Sequence, residues 1–343
     1  MLSLKAIDEA TIGGRSKSTF YFIAMDISRD VKMSSDNNLE VAAATLCCAS
    51  CGIAELDDIE LKPCDGCDLV RYCSDTCRED HRPEHAEKCK ERVAELREEI
   101  LFRQPESSHL GDCPICCLPI PFDEKTSKKS VLHSCCSKIV CAGCVYAHQQ
   151  RQLQDNTQQT CPFCRQPAAE TVEEGEKNLM KRAAANDPVA IHEFGKGLFK
   201  KEDFDGALKY FTKAAELGDV DAHYSLSYLY RDGQGVERDE KKEAYHLEEA
   251  AIRGHAFARY NLGMHDLTIN LNSARAVKHW IIAASLGYDD AIQALKMCYK
   301  HDAISKEDFA MALRSHKAAV DAMKSPQRGE ASKSQALFMK PIW

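Results

Sequence analysis

Cysteine and histidine recur in close pairs along one stretch of this chain: Cys48/Cys51, Cys64/Cys67, Cys73/Cys77, His85/Cys89, Cys113/Cys116, Cys141/Cys144 and Cys161/Cys164. Two or three intervening residues let both members of a pair reach one tetrahedral ion, and thiolates with an occasional imidazole are the donor set of structural zinc. All but two of the 18 cysteines lie between Cys48 and Cys164. The alternative for so many cysteines is a disulfide framework. The opening 25 residues argue against it, because Lys5, Asp8, Glu9, Arg15 and Lys17 interrupt any signal-like apolar run. Reduced thiols, free to bind metal, are the expectation.

The first four pairs supply eight ligands, enough for two ions. Cross-bracing would have the first and third pairs hold one ion and the second and fourth the other. That staples a segment too short to build an apolar core, and each ion supplies on the order of 10–16 kcal/mol of folding free energy. His81 is an alternative to His85, and Cys47, next to Cys48, is a spare. In the second block Cys113/Cys116, Cys141/Cys144 and Cys161/Cys164 leave one pair to be found among His133, Cys135 and Cys136. Cys135 and Cys136 are preferred, with His133 in reserve.

The elements that must position these ligands follow from composition and period. The chain of 343 residues is long enough for two or three units, with 44% hydrophobic and 29% charged residues. No apolar run approaches the roughly 18–20 residues of a transmembrane helix, so no membrane is expected. A net charge of −8 argues against nucleic acid as the main partner. Residues 1–45 are polar and aperiodic and read as a disordered lead-in. After the finger at 46–90, Val93, Leu96, Ile100 and Leu101 fall at helical spacing, giving a short connecting helix and linker over 91–110. The second zinc block spans 111–168. The basic run Lys125 to Lys129 reads as a solvated loop.

Beyond about Thr171 the composition turns to Ala, Leu, Lys, Glu and Tyr, and it repeats. Ala214-Ala215 with Gly218, Ala250-Ala251 with Gly254, and Ala283-Ala284 with Gly287 share one pattern, and Ala184 to Asp187 is a degenerate copy. A period of about 34 residues with two helices per unit is that of an α-solenoid, here over 175–322. The glycines suit left-handed helix ends and the paired alanines suit close helix contact. Tyr230, Tyr245, Tyr260 and Trp280 are expected to fill the gaps between units. Ser305 to Asp308 reads as a cap for a closing helix, and residues 323–343 as a loose tail.

Three resemblances rest on these residues. Arg71-Tyr72-Cys73-Ser74-Asp75-Thr76-Cys77 with the final His85-x3-Cys89 resembles a MYND-type zinc finger, except that Arg82 stands where a tryptophan often precedes the last histidine. The resemblance implies two zinc ions held by Cys48, Cys51, Cys64, Cys67, Cys73, Cys77, His85 and Cys89, and binding of short, often proline-rich peptides. Cys113-Pro-Ile-Cys116, Cys141-Ala-Gly-Cys144 and Cys161-Pro-Phe-Cys164-Arg165 resemble a RING finger, although Lys138 stands at the usual histidine. That implies a further pair of zinc ions on Cys113, Cys116, Cys135, Cys136, Cys141, Cys144, Cys161 and Cys164. It also implies a ubiquitin-conjugating-enzyme contact through Ile115, Pro162 and Arg165, an effect of positioning without a nucleophile.

Ala222 to Tyr230, Gly233-Gln-Gly-Val236, Asp239, Ala244, Tyr245 and Ala250-Ala251-Ile-Arg-Gly254 resemble Sel-1-like repeats of the tetratricopeptide-like superfamily, which imply a protein-binding surface. The fold class expected is therefore mixed: two small zinc-stapled cross-brace modules, MYND-like and RING-like, followed by an all-α solenoid. The expected function is a zinc-binding interaction adaptor in cytoplasm or nucleus, acting as a RING-type ubiquitin ligase whose finger and repeats select client proteins. The alternative is a non-enzymatic scaffold. No motif places a catalytic triad or a methyltransferase cofactor site.

Overall fold

The computed structural model describes residues 47–55, 59–121 and 129–334. The lead-in, Lys125 to Lys128 of the basic run and the last nine residues lie outside that set. The first module opens on a two-residue hairpin, β1 (Lys62–Pro63) against β2 (Arg71–Tyr72), with Lys62 opposite Tyr72 and Pro63 opposite Arg71. Helix α1 (Asp75–Leu101) follows at once, its first turn capped by Ser74, whose hydroxyl accepts the Cys77 N–H at 3.2 Å. The short connecting helix expected over 91–110 is instead the distal part of this 27-residue helix. Cys77, His85 and Cys89 sit on its proximal part, so metal ligands and connector share one rod. Pro83 lies inside it.

The second module is a hairpin of β3 (Ser130–His133) and β4 (Lys138–Cys141), in register Ser130 to Cys141 and His133 to Lys138, followed by α2 (Ala142–Gln154). Its small core is made by Cys113, Ile120, Val140, Cys141, Cys144 and Val145, so the thiols themselves are part of the packing.

Nine helices then stack as antiparallel neighbours: α3 (Val172–Ala184), α4 (Pro188–Lys200), α5 (Phe204–Glu216), α6 (Val220–Asp232), α7 (Glu240–Ile252), α8 (Ala256–Thr268), α9 (Ser273–Ser285), α10 (Asp289–Lys300) and α11 (Lys306–Ala322). Asp187, Asp203, Asp219, Asp239 and Asn272 cap five of them through side-chain oxygens. Gly218, Gly254 and Gly287 take φ of 93°, 85° and 87°, the left-handed geometry that ends a helix at least cost. Ala250, Ala251, Ala283 and Ala284 are fully buried where helices approach. Trp280 fills its gap, its indole N–H donating to the Tyr260 carbonyl at 3.2 Å. Tyr245 does not: it is 52% exposed, because it stands on the outer face of α7 while Leu247, Ala250 and Ala251 turn inward.

Helices make two of the contacts that tie the zinc region to the solenoid. The end of α1 inserts Leu101 among Leu247, Ala250, Ala251, Ala258 and Leu262. The fully buried Arg259 donates to the Leu101 carbonyl and, at 2.7 Å, to that of Ala251. Arg97 pairs with Glu248 and Glu249 at 2.9 and 3.0 Å beside it. The second contact corrects the loose tail. Residues 326–333 form α12 (Pro326–Lys333), capped by Ser325 and laid against α2. Proline at its start, the Ser325 cap and Ala331, buried in the interface, account for the helix in a segment with little apolar character of its own.

Candidate metal centres

Four groups of four ligand atoms converge, each within 4.8 Å of one another: Cys48, Cys51, Cys73 and Cys77; Cys64, Cys67, His85 and Cys89; Cys113, Cys116, Cys141 and Cys144; Cys135, Cys136, Cys161 and Cys164. In each module the first pair joins the third and the second joins the fourth, which is cross-bracing. The spacing fits a tetrahedral zinc ion. Zn–S bonds of about 2.3 Å put sulfurs about 3.8 Å apart along a tetrahedral edge. The sulfurs of Cys51 and Cys73 are 3.6 Å apart, Cys64 and Cys89 3.8 Å, Cys116 and Cys141 3.7 Å, and Cys136 and Cys161 3.9 Å. A disulfide would bring a pair to about 2.05 Å, and all these cysteines are free.

Local structure explains how each ligand gets there. His85 and Cys89 lie one turn apart on α1, on one face, and His85 Nε2 reaches to 3.3 Å from Cys67 Sγ. Gly66 leaves room in the knuckle between Cys64 and Cys67: a Cβ there would sit 3.2 Å from Cys89 Sγ. His81 is not in the group. Its Nδ1 is 3.1 Å from the Tyr72 hydroxyl, and its ring stacks on that of His85. The adjacent Cys135 and Cys136 both reach the fourth group because the β3–β4 turn is tight. Cys136 and Ser137 both donate to the His133 carbonyl, and Ser137 turns left-handed at φ 52°. His133 itself stays outside the group, with Nε2 buried and its pKa lowered to about 4 by burial. Cys47 and Cys117 are exposed and outside all four.

The electrostatics call for a cation. Burial works against the Cys48 thiolate, yet N–H groups of Cys51, Cys73 and Ser50 bring its pKa down to about 6. Cys64, through Gly66 and Cys67 N–H groups, also falls to about 6, and Cys113 to about 7. Their neighbours move the other way. Cys73, facing the thiols of Cys51 and Cys77, is pushed up to about 12, and burial with Cys64 and Cys67 pushes Cys89 to about 12. In three of the groups the backbone favours one thiolate, and a positive ion would offset what holds Cys73 and Cys89 in the thiol form.

Comparison with known proteins gives the first module a family. The MYND finger model matches residues 48–89, the span of the first two groups. The Sel1 repeat model matches 189–219, 220–255 and 256–288. The chain carries a MYND finger and three Sel1 repeats. It is 39% identical over 59 residues to HcpC of Helicobacter pylori strain J99, and 40% identical over 55 residues to the same protein of strain 26695. These matches cover 17% and 16% of this chain and only about a fifth of each relative. Among solved structures, a Sel1 repeat protein from Oxalobacter formigenes is similar at TM-score 0.39 and 22% identity, over 46% of this chain and 67% of the other. A protective antigen of uropathogenic Escherichia coli is similar at TM-score 0.36 and 20% identity, over 49% and 37%.

The Cys-rich block between the MYND finger and the Sel1 repeats is compatible with a RING-like module. Of the three contact residues expected on it, Ile115 is 42% exposed and Arg165 is exposed, but Pro162 is buried. Phe163, next to it, takes the outer position at 43% exposed. The chain turns left-handed just after this pair, at Arg165, φ 64°. His148 on α2 was not picked out by spacing. Its Nδ1 is 3.3 Å from Arg165 Nη1 and its Nε2 is 3.1 Å from the Thr160 carbonyl. A guanidinium only donates, so Nδ1 accepts, and Nε2 carries the proton toward Thr160. Burial, then the Arg165 charge, lowers the pKa of His148 and keeps the ring neutral.

A further, partly buried group lies where the linker meets the Sel1 repeats. His109 Nε2 and His255 Nε2 stand 3.0 and 3.2 Å from Asp221 Oδ1. It is not a ready metal centre. His255 Nδ1 accepts the Ala258 N–H as the cap of α8, so its Nε2 holds the proton and donates to Asp221. The group pins the linker to the repeats instead.

Proposed function

We propose that this protein is a four-zinc interaction adaptor of the cytoplasm or nucleus whose RING-like module recruits a ubiquitin-conjugating enzyme, while the MYND finger and Sel1 repeats select client proteins. One ion would sit in each of the four groups. The observation that carries the reading is the interleaving of Cys113, Cys116, Cys141 and Cys144 with Cys135, Cys136, Cys161 and Cys164, beside the exposed Ile115, Phe163 and Arg165. No nucleophile of this chain takes part. The module would hold the conjugating enzyme's thioester in a reactive pose, and the exposed Arg165, beside His148, would supply a cation there. At the MYND finger a short proline-rich peptide remains the expected ligand, with exposed Arg82 in place of the family's aromatic residue.

The test is ubiquitin-chain formation by the full, zinc-loaded chain with a panel of conjugating enzymes. Chains that vanish in Arg165→Ala and fall in Ile115→Ala support the ligase; no chains from a fully loaded protein refute it. A specific observation favours a second reading, a scaffold in which every module only binds proteins. Pro162 is buried rather than presented, so one expected docking residue is withdrawn. Partner capture that survives Ile115→Ala would then be the result.

A further inference from the structure

Helix α12 does more than lie against the second zinc block. Its Arg328 turns a guanidinium onto the Cys116 loop: Nη1 donates to the Pro119 and Met323 carbonyls at 2.7 and 2.6 Å, and Nη2 to the Leu118 carbonyl at 3.2 Å and to Cys116 Sγ at 3.4 Å. The same Leu118 carbonyl accepts the Cys113 N–H at 2.9 Å, so one side chain braces the turn that follows Cys116 and folds back on Cys113. The sequence makes room for this approach. A Cβ on Gly143, between the ligands Cys141 and Cys144, would stand 2.8 Å from the Arg328 backbone nitrogen and 3.0 Å from the Gln327 carbonyl carbon.

We propose that Arg328, 212 residues downstream of Cys116, is a positioning residue for a zinc ion on Cys113, Cys116, Cys141 and Cys144. The inference rests on the reading that this group holds zinc. Four thiolates around Zn2+ carry a net charge of −2, and the group's side chains bring no cation of their own. A guanidinium donating to a ligand sulfur offsets part of that charge, makes the thiolate less basic and slows the protonation that releases metal. Outer partners of this kind are typically worth about 10–100-fold in metal affinity. Metal retention in the second block then depends on the helix that follows the repeats, and by linkage the docking of α12 depends on the metal.

The experiment uses the full chain loaded with cadmium-113, which reports each site as a separate resonance, the third group being the signal lost in Cys116→Ser. Zinc release to excess chromogenic chelator is followed in parallel. In Arg328→Gln the third group's resonance shifts and one equivalent leaves about 10–100-fold faster, the rest at the parent rate. Gly143→Ala, which drives a methyl group into the Arg328 backbone and Cγ and so pushes α12 away while keeping the guanidinium in the chain, labilises the same equivalent, and Arg328→Lys, which keeps the charge, falls between Gln and the parent. Unchanged release in Arg328→Gln and Gly143→Ala, or a lysine variant as fast as the glutamine one, overturns the proposal. A parent chain whose third group takes up no metal overturns the zinc reading beneath it.

Discussion

Leu101→Ala tests whether the MYND helix is bolted to the Sel1 repeats. Leu101 is the last residue of α1, fully buried among Leu247, Ala250, Ala251, Ala258 and Leu262. Three of those neighbours are alanines, short side chains on packed helices that cannot swing in to fill a void, so the site collapses little. Leucine-to-alanine changes in such places cost about 2.7–5.0 kcal/mol, and about 3 kcal/mol is a reasonable value for a contact at the edge of a core. Ile100 is the internal control: one residue earlier, turned to the other side of the helix and 42% exposed, it is worth within about 0.5 kcal/mol. The lost energy is spent on undocking rather than on global unfolding, so it should appear in the linker. Arg103 is exposed on that linker, and trypsin cleavage after it requires local opening. If opening is fast relative to cleavage, about 3 kcal/mol raises the open fraction roughly a hundredfold. The assay is the rate of appearance of the peptide ending at Arg103, by mass spectrometry, in the zinc-loaded full chain. Equal rates in Leu101→Ala and Ile100→Ala, or less than a fivefold rise in the former, would refute the docking of α1.

Gly263→Ala places a methyl group against the Trp280 indole, and overpacking of a closed gap costs about 1–3 kcal/mol; a lowered urea midpoint with a shifted tryptophan emission checks it. Cys116→Ser should remove one zinc equivalent by elemental analysis, whereas Cys47→Ser and Cys117→Ser should remove none. Stripping zinc with a strong chelator should abolish hydrogen-exchange protection over residues 75–89 of α1 while leaving α4 to α9 protected, since only the first span carries ligands. Burial raises the pKa of Asp219 to about 8 in the fold. A carboxyl raised in this way stabilises fully below its unfolded value of about 4 and loses that contribution as pH climbs toward 8. Asp219→Asn keeps an oxygen for the Ala222 N–H and has no proton to lose, so its melting temperature should fall less than the parent's between pH 5 and pH 8. An identical slope for both proteins would mean that Asp219 is not the group responsible.

The parts of this molecule that the sequence makes legible are those with a local rule. Zinc ligands come in pairs because one ion needs two near neighbours, and the Sel1 helices end at Gly218, Gly254 and Gly287 because a left-handed residue must follow each. What escaped depends on distant neighbours. The connecting helix fused with the finger because nothing between Cys89 and Val93 stops a helix already begun at Ser74. Tyr245 turned outward because three smaller residues of α7 claimed the interface. Pro162, expected at the surface, is buried while the adjacent Phe163 is exposed, a choice that depends on packing around the knuckle and not on the local residue order. The tail became a helix only because α2 offers Gly143 and the Cys116 loop offers carbonyls to Arg328, and no window of eight residues contains that information.

A stack of helical repeats ordinarily has two free ends, and its end units open first. Here the second zinc block meets both. Arg182 on α3, the first helix of the stack, donates to Ser137 in the β3–β4 turn at 2.7 Å, and α12, just past the last, lies on α2. The array is therefore closed into a circuit through the second cysteine-rich block. Each end of the stack is held by this block, through Arg182 at one and α12 at the other, so a gradient of hydrogen exchange falling from the middle of the repeats outward should be flattened. Any partner that bends the repeats must also strain that block.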